Sequence, residues 1–228
     1  MRFRIDLKIF IFLILFYFTR QIEIYAFIMI FALIHELGHL VAGILLGMKP
    51  EKLELMPFGV SIAFKINPKE YNQKIKKGNI LEIKKIIVAF AGPITNFLII
   101  ILTYKLNLEL VKSIMIIYTN FLIMIFNLLP IYPLDGGRIL KGIMHINLGK
   151  RKSEKYINII SKITVISITA ISSILILYVH NISIFLIDIY LWYLQIKEDL
   201  NYSRKKELLN NFYESINNYN SEFKCNTK

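Results

Sequence analysis

The sequence predicts an all-α polytopic membrane protein, with about six transmembrane helices and a short re-entrant or β-hairpin segment after the second. Three observations carry that expectation. Of the 228 residues 55% are apolar and only 19% charged, against about a quarter charged in soluble domains. The apolar residues come in long runs rather than alternating with charge. The 28 Lys and Arg residues collect in alternate loops. This composition excludes intrinsic disorder, which requires low hydrophobicity. The single cysteine, Cys225, leaves neither an intramolecular disulfide nor a thiolate metal cluster available.

Five runs approach the roughly 20 apolar residues that a helix needs to cross a bilayer: Ile24–Leu46, Ile86–Tyr104, Ile114–Leu129, Ile163–Val179 and Ile182–Ile196. The last is short, and snorkelling of Lys197 can make up the difference. A sixth run, Ile9–Phe18, reads as a first span ending near Ile22. Its rival reading is a signal-peptide core. Thr19-Arg20-Gln21-Ile22 lacks the small-x-small cleavage pattern, so the run is expected to be retained.

The charges fit this layout with the N-terminus inside. Three Lys or Arg precede Ile9, 9 lie between Lys49 and Lys85, 7 between Arg138 and Lys162, and 6 from Lys197 onward. Only Arg20, Lys105 and Lys112 fall outside, which is the asymmetry of the positive-inside rule. The net charge of +12 is therefore a topology signal, and nucleic acid is not an expected partner because no aromatic-basic interleaving accompanies it. Leu53–Ile66, with Pro57 and Gly59, is too short and too broken to span as a helix. Residues 197–228, rich in Asn, Lys, Glu and Ser, read as a short polar cytoplasmic tail, a solvated amphipathic helix followed by frayed residues, behind a membrane domain of residues 1–196.

Charged groups are costly in lipid, so those left inside apolar runs are functional candidates. His35-Glu36-Leu37-Gly38-His39 is H-E-x-x-H inside the second span. Four residues apart on a helix, both imidazoles can reach one ion, and Glu36 can deprotonate a water beside it. The bland alternative is polar packing inside a bundle. A proton or metal transporter using the same groups is the stronger rival.

A third ligand must come from another stretch. His180 lies at the far end of a span, and His145 on a basic inside segment is more plausible. Asp135 is better placed, in Asn127-Leu128-Leu129-Pro130-Ile131-Tyr132-Pro133-Leu134-Asp135-Gly136-Gly137-Arg138, where prolines and glycines must break the helix. Asp188 ranks behind it, with a helix–helix hydrogen bond as its ordinary explanation. In Ala91-Gly92-Pro93-Ile94-Thr95-Asn96 the Gly-Pro pair is expected to kink the third span. Asn96, one turn on, either bonds a neighbouring helix or faces the metal water or the substrate.

Taken together, H-E-L-G-H, A-G-P-I-T-N and N-L-L-P-I-Y-P-L-D-G-G-R resemble the site-2 protease family of intramembrane zinc metalloproteases, over residues 1–196. The six-span layout and the N-L-L-P-I-Y-P-L-D-G-G wording resemble most its stage IV sporulation protein FB branch. The resemblance implies one zinc held by His35, His39 and Asp135, Glu36 as general base, and Asn96 lining the site for substrate or oxyanion. It implies metalloendopeptidase activity on a membrane-associated protein near the cytoplasmic face, a sigma-factor precursor during sporulation, under membrane inhibitor proteins. Placement in the cell membrane with both termini cytoplasmic accompanies it. The 32 residues after Ile196 are too few for the nucleotide-sensing CBS domain common in that branch. No PDZ-like insertion lies between the spans.

Overall fold

The computed structural model describes residues 2–5, 17–18, 22–56, 59–65, 75–106, 110–179 and 182–225. The elements are β1 (Arg2–Ile5), α1 (Ile22–Leu45), β2 (Lys49–Met56), β3 (Gly59–Lys65), α2 (Ile75–Lys105), α3 (Leu110–Leu128), α4 (Asp135–Leu148), α5 (Lys150–Val179) and α6 (Ile182–Cys225). The protein is mostly helical, but the all-α expectation is corrected by a three-stranded sheet ordered β1-β2-β3. β2 and β3, which take up most of the segment expected as a hairpin or re-entrant loop, pair antiparallel from Lys49↔Lys65 to Met56↔Gly59. β1 adds in parallel, from Arg2↔Lys52 to Ile5↔Leu55.

Among the described residues, three helical stretches are long and apolar enough to cross a membrane: Tyr25–Leu45, Asn79–Lys105 and Lys150–Leu175. Ser113–Leu128 is a shorter apolar helix. Of the six expected spans, three thus meet the length for crossing among the described residues, and most of Ile9–Phe18 lies outside those residues. At 1.5 Å per residue, the 24 residues of α1 extend about 36 Å, enough for the hydrocarbon core.

The surface pattern inverts that of a soluble helix. α1 buries Ala32, His35 and His39 while exposing Leu33, Leu37, Val41 and Ile44. α2 buries Ala89 and Asn96 while exposing Ile94, Phe97 and Leu98. Polar groups inside and large apolar groups outside suit a lipid solvent, where exposed hydrocarbon is not penalised and polar groups need internal partners. The Gly-Pro pair does not end α2, which continues through Pro93.

Two compact units divide the chain. The first is Met1–Pro130 with Leu134–Ser153, and the second is Ile131–Pro133 with Glu154–Lys228. Within the first, α2 contacts α1, α3 and α4, and α1 also contacts α3. Between α3 and α4 the chain leaves helical geometry, and α4 begins at Asp135 behind an extended Leu134. Gly136 is required there, because a Cβ would collide with the main-chain carbonyl of Leu128.

The second unit is an antiparallel pair, α5 against α6, joined by polar rungs. Ser172 Oγ donates to Asp188 Oδ1 at 3.1 Å, Trp192 Nε1 to Thr169 Oγ1 at 3.0 Å, and Gln195 Nε2 to Asn158 Oδ1 at 3.0 Å. Further along, Lys162 Nζ lies 3.0 Å from Asp199 Oδ2, and Lys205 Nζ 3.8 Å from Glu154 Oε1. The polar tail from Lys197 therefore continues α6 without a helix break. Ser172→Ala leaves the buried Asp188 carboxyl short of a donor, a cost of about 1–3 kcal/mol. The expected result is a lower thermal midpoint in detergent with unchanged metal content.

Candidate metal centre

His35 and His39 sit four residues apart on α1, so their side chains emerge on one face, one turn from each other. That face turns inward, where His35 is 2% and His39 3% exposed. Asp135, 4% exposed, arrives on the first residue of α4, where the unpaired N–H groups of the helix start favour a negative charge. The three donors converge. His35 Nε2 lies 3.0 Å and His39 Nε2 3.1 Å from Asp135 Oδ2, and the two Nε2 atoms are 3.2 Å apart. Among the described residues these three form the group able to hold a metal ion.

The tautomer of His39 is set by α2. Its Nδ1–H donates to the main-chain oxygen of Val88 at 2.6 Å, which leaves a lone pair on Nε2, the arrangement usual for ligating histidine. The Gly92 N–H also lies 3.3 Å from Nδ1; with the ring proton committed to Val88, this is a close approach only. Asp135 divides its oxygens. Oδ2 faces both imidazoles, while Oδ1 lies 3.8 Å from Arg138 Nη1. Burial opposes ionisation of this carboxyl, but hydrogen bonds from His35 and His39 and the Arg138 charge together hold it below the ordinary carboxylate range.

Two features fit this donor set to a small tetrahedral cation. With bonds of 2.0–2.1 Å, ligands at tetrahedral angles stand about 3.3 Å apart, close to the observed edges of 3.0–3.2 Å. Room is also kept open. A Cβ on Gly92 would run into Nε2 of both His35 and His39, so only glycine lets α2 pass and leaves space over the donors.

The other sequence candidates lie elsewhere. Glu36, between the two histidines, is half-buried and rotated about 100° round the helix from His35, on the flank of the ligand face. Asn96 is fully buried, and its Nδ2 donates to the main-chain oxygen of Asn120 at 3.5 Å. It is thus held against α3, leaving its acceptor oxygen rather than its donor free. His145 does not join the centre; its Nδ1 lies 3.4 Å from Glu82 Oε1, which also pairs with Lys85 Nζ at 2.7 Å. Asp188 belongs to the Ser172 rung, and His180 lies outside the described residues. Sequence reasoning missed the Val88 carbonyl and the reason for Gly92. The signal was present in the Ala-Gly-Pro run, where a glycine inside a buried helix marks close backbone approach as readily as a kink.

The chain matches peptidase family M50 over residues 23–113 and 105–171. It is 34% identical over 140 residues to a zinc metalloprotease of Methanocaldococcus jannaschii, covering 57% of this chain and 37% of that protein. The aligned part thus spans little more than a third of the relative's length. The structure is similar to the site-2 protease from Methanocaldococcus jannaschii, with a TM-score of 0.60 and 23% identity, covering 85% of this chain and 88% of that one. At that identity the likeness is one of fold. Gly92→Ala places a methyl group against both imidazoles and is expected to lower bound divalent metal at least tenfold, read by elemental analysis of the purified chain against wild type.

Proposed function

The chain belongs to peptidase family M50, and from that premise we propose that it is a multi-pass membrane zinc metalloprotease of the site-2 type. The observation that carries this reading is the meeting of two α1 imidazoles and one α4 carboxylate at 3.0–3.2 Å, with a glutamate beside the ligands that is not itself one. Zinc held by His35, His39 and Asp135 would supply Lewis acidity, lowering the pKa of water and polarising a carbonyl. Glu36 then takes the proton of the attacking water and delivers it to the leaving amine. Val88 keeps His39 in its ligating tautomer, and Gly92 keeps the approach open. A transporter would use the same histidines and aspartate, but it has no need of a base at Glu36, and so hydrolysis is favoured.

A substrate helix hides its carbonyls in its own hydrogen bonds and must unwind before attack. β3 lies at an edge of the sheet order, so an unwound segment can add to it as a further strand. The non-helical stretch ahead of Asp135 is the proposed water inlet. In this reading residues 1–196 form the protease domain and residues 197–228 a cytoplasmic tail. Both termini lie in the cytoplasm with the basic loops, and cleavage occurs near that face. The substrate is a membrane-associated protein, a sigma-factor precursor during sporulation if the chain follows the branch it most resembles, with membrane inhibitor proteins as regulators.

Co-expression with candidate sigma-factor precursors, scored on a gel, tests the reading. Glu36→Gln is expected to reduce processing by about 10²–10⁴-fold while one zinc per chain remains bound; processing at the wild-type rate would remove the base. Proline at Val60 or Ile62 is expected to impair cleavage with zinc retained, because it takes an N–H from β3 and stiffens it. Unchanged cleavage in both variants would discard strand addition.

A further inference from the structure

Among the described residues, four buried side-chain atoms have no hydrogen-bond partner: His35 Nδ1, Asn96 Oδ1, Asn120 Oδ1 and Gln195 Oε1. The first three lie on α1, α2 and α3, which are in mutual contact. Asn96 is one turn, about 6 Å, beyond Gly92 on the same face of α2, and Gly92 is the residue whose missing Cβ faces His35 Nε2. Asn120 adjoins Asn96 through its main-chain oxygen. Both asparagines are 0% exposed, so bulk solvent does not satisfy them.

The chemistry of the three atoms is complementary. If Nε2 of His35 faces the cation, Nδ1 carries the proton and is a donor. The asparagine oxygens are acceptors, and their orientation is fixed by the amide nitrogens. Asn120 Nδ2 donates to Ile116 O at 2.9 Å and Asn96 Nδ2 to Asn120 O, so a flip would set oxygen against carbonyl oxygen in each case. One donor and two acceptors match a single internal water, which accepts one hydrogen bond and donates two. His39 has its Nδ1 anchored on Val88; among the described residues His35 has no such direct anchor.

We infer that Asn120, with Asn96, holds a buried water that anchors Nδ1 of His35, making Asn120 a positioning residue for the metal ligand. The inference rests on the zinc-protease reading and names a residue outside all three motifs. Its action is through the ring orientation and basicity of His35, the outer-shell effect that ligating histidines commonly need.

The test is zinc affinity of the full chain in detergent, measured by competition with a chromophoric chelator. Asn120→Leu keeps the shape and removes the acceptor, and is expected to bind zinc about tenfold or more weaker, with the metal-free thermal midpoint no lower than wild type. Asn120→Ser, which keeps an acceptor oxygen and leaves room for the water, is expected to recover most of the affinity. Should Asn120→Leu fail to fold, Asn120→Ala carries the same expectation. Affinity within twofold of wild type in the folded apolar variant, or equal loss in the serine and apolar variants, overturns the inference. A wild-type chain that binds no zinc would instead overturn the reading of the centre itself.

Discussion

Two imidazole nitrogens and a carboxylate oxygen, within 3.2 Å of one another and almost wholly buried, set the constraint that the rest of the first unit obeys. Such atoms repel or compete for protons unless a cation or a shared hydrogen lies among them, and burial denies them water. The surrounding chain is built around that demand. α2 passes close enough to lend the Val88 carbonyl to His39, and it does so only because Gly92 has no side chain. α4 starts tightly behind α3 because Gly136 has none either. The two glycines that first read as helix breakers are, in the folded chain, places where backbone replaces side chain.

The histidine pair was legible in the sequence because its geometry is local, since spacing of four on a helix fixes a shared face whatever the rest of the chain does. Asp135 was legible for a different reason. A carboxylate beside two prolines and two glycines stands where backbone is irregular, and such backbone in an apolar chain needs a polar surrounding. The role of Gly92 was not legible, because a kink and a close approach leave the same residue in the sequence. β1 was missed as well. Four residues, Arg2–Ile5, carry too little pattern to announce a strand, and their parallel register on β2 is decided some fifty positions away.

Composition marks the change of solvent along the chain, and a helix can cross that change. The shift from apolar to polar near Lys197 marks a change of surroundings, yet α6 runs through it, since Lys, Glu and Leu favour helix in either medium. The rungs between α5 and α6 extend on both sides of that point. Span counting meets a different ambiguity. Apolar runs of 15 to 17 residues are ambiguous between crossing helices and shorter helices packed inside a bundle, and length separates the two only beyond about 18 residues.

The distance along the chain between the donors has a consequence for biosynthesis. His35 and Asp135 are 100 residues apart in sequence, on elements joined through several turns of chain. A ribosome that has released only α1 into the bilayer has therefore made two histidines and nothing that closes around an ion. The three-donor cradle comes into being late, after α4 has emerged and docked, so a chain that stops short of α4 lacks the carboxylate that completes it.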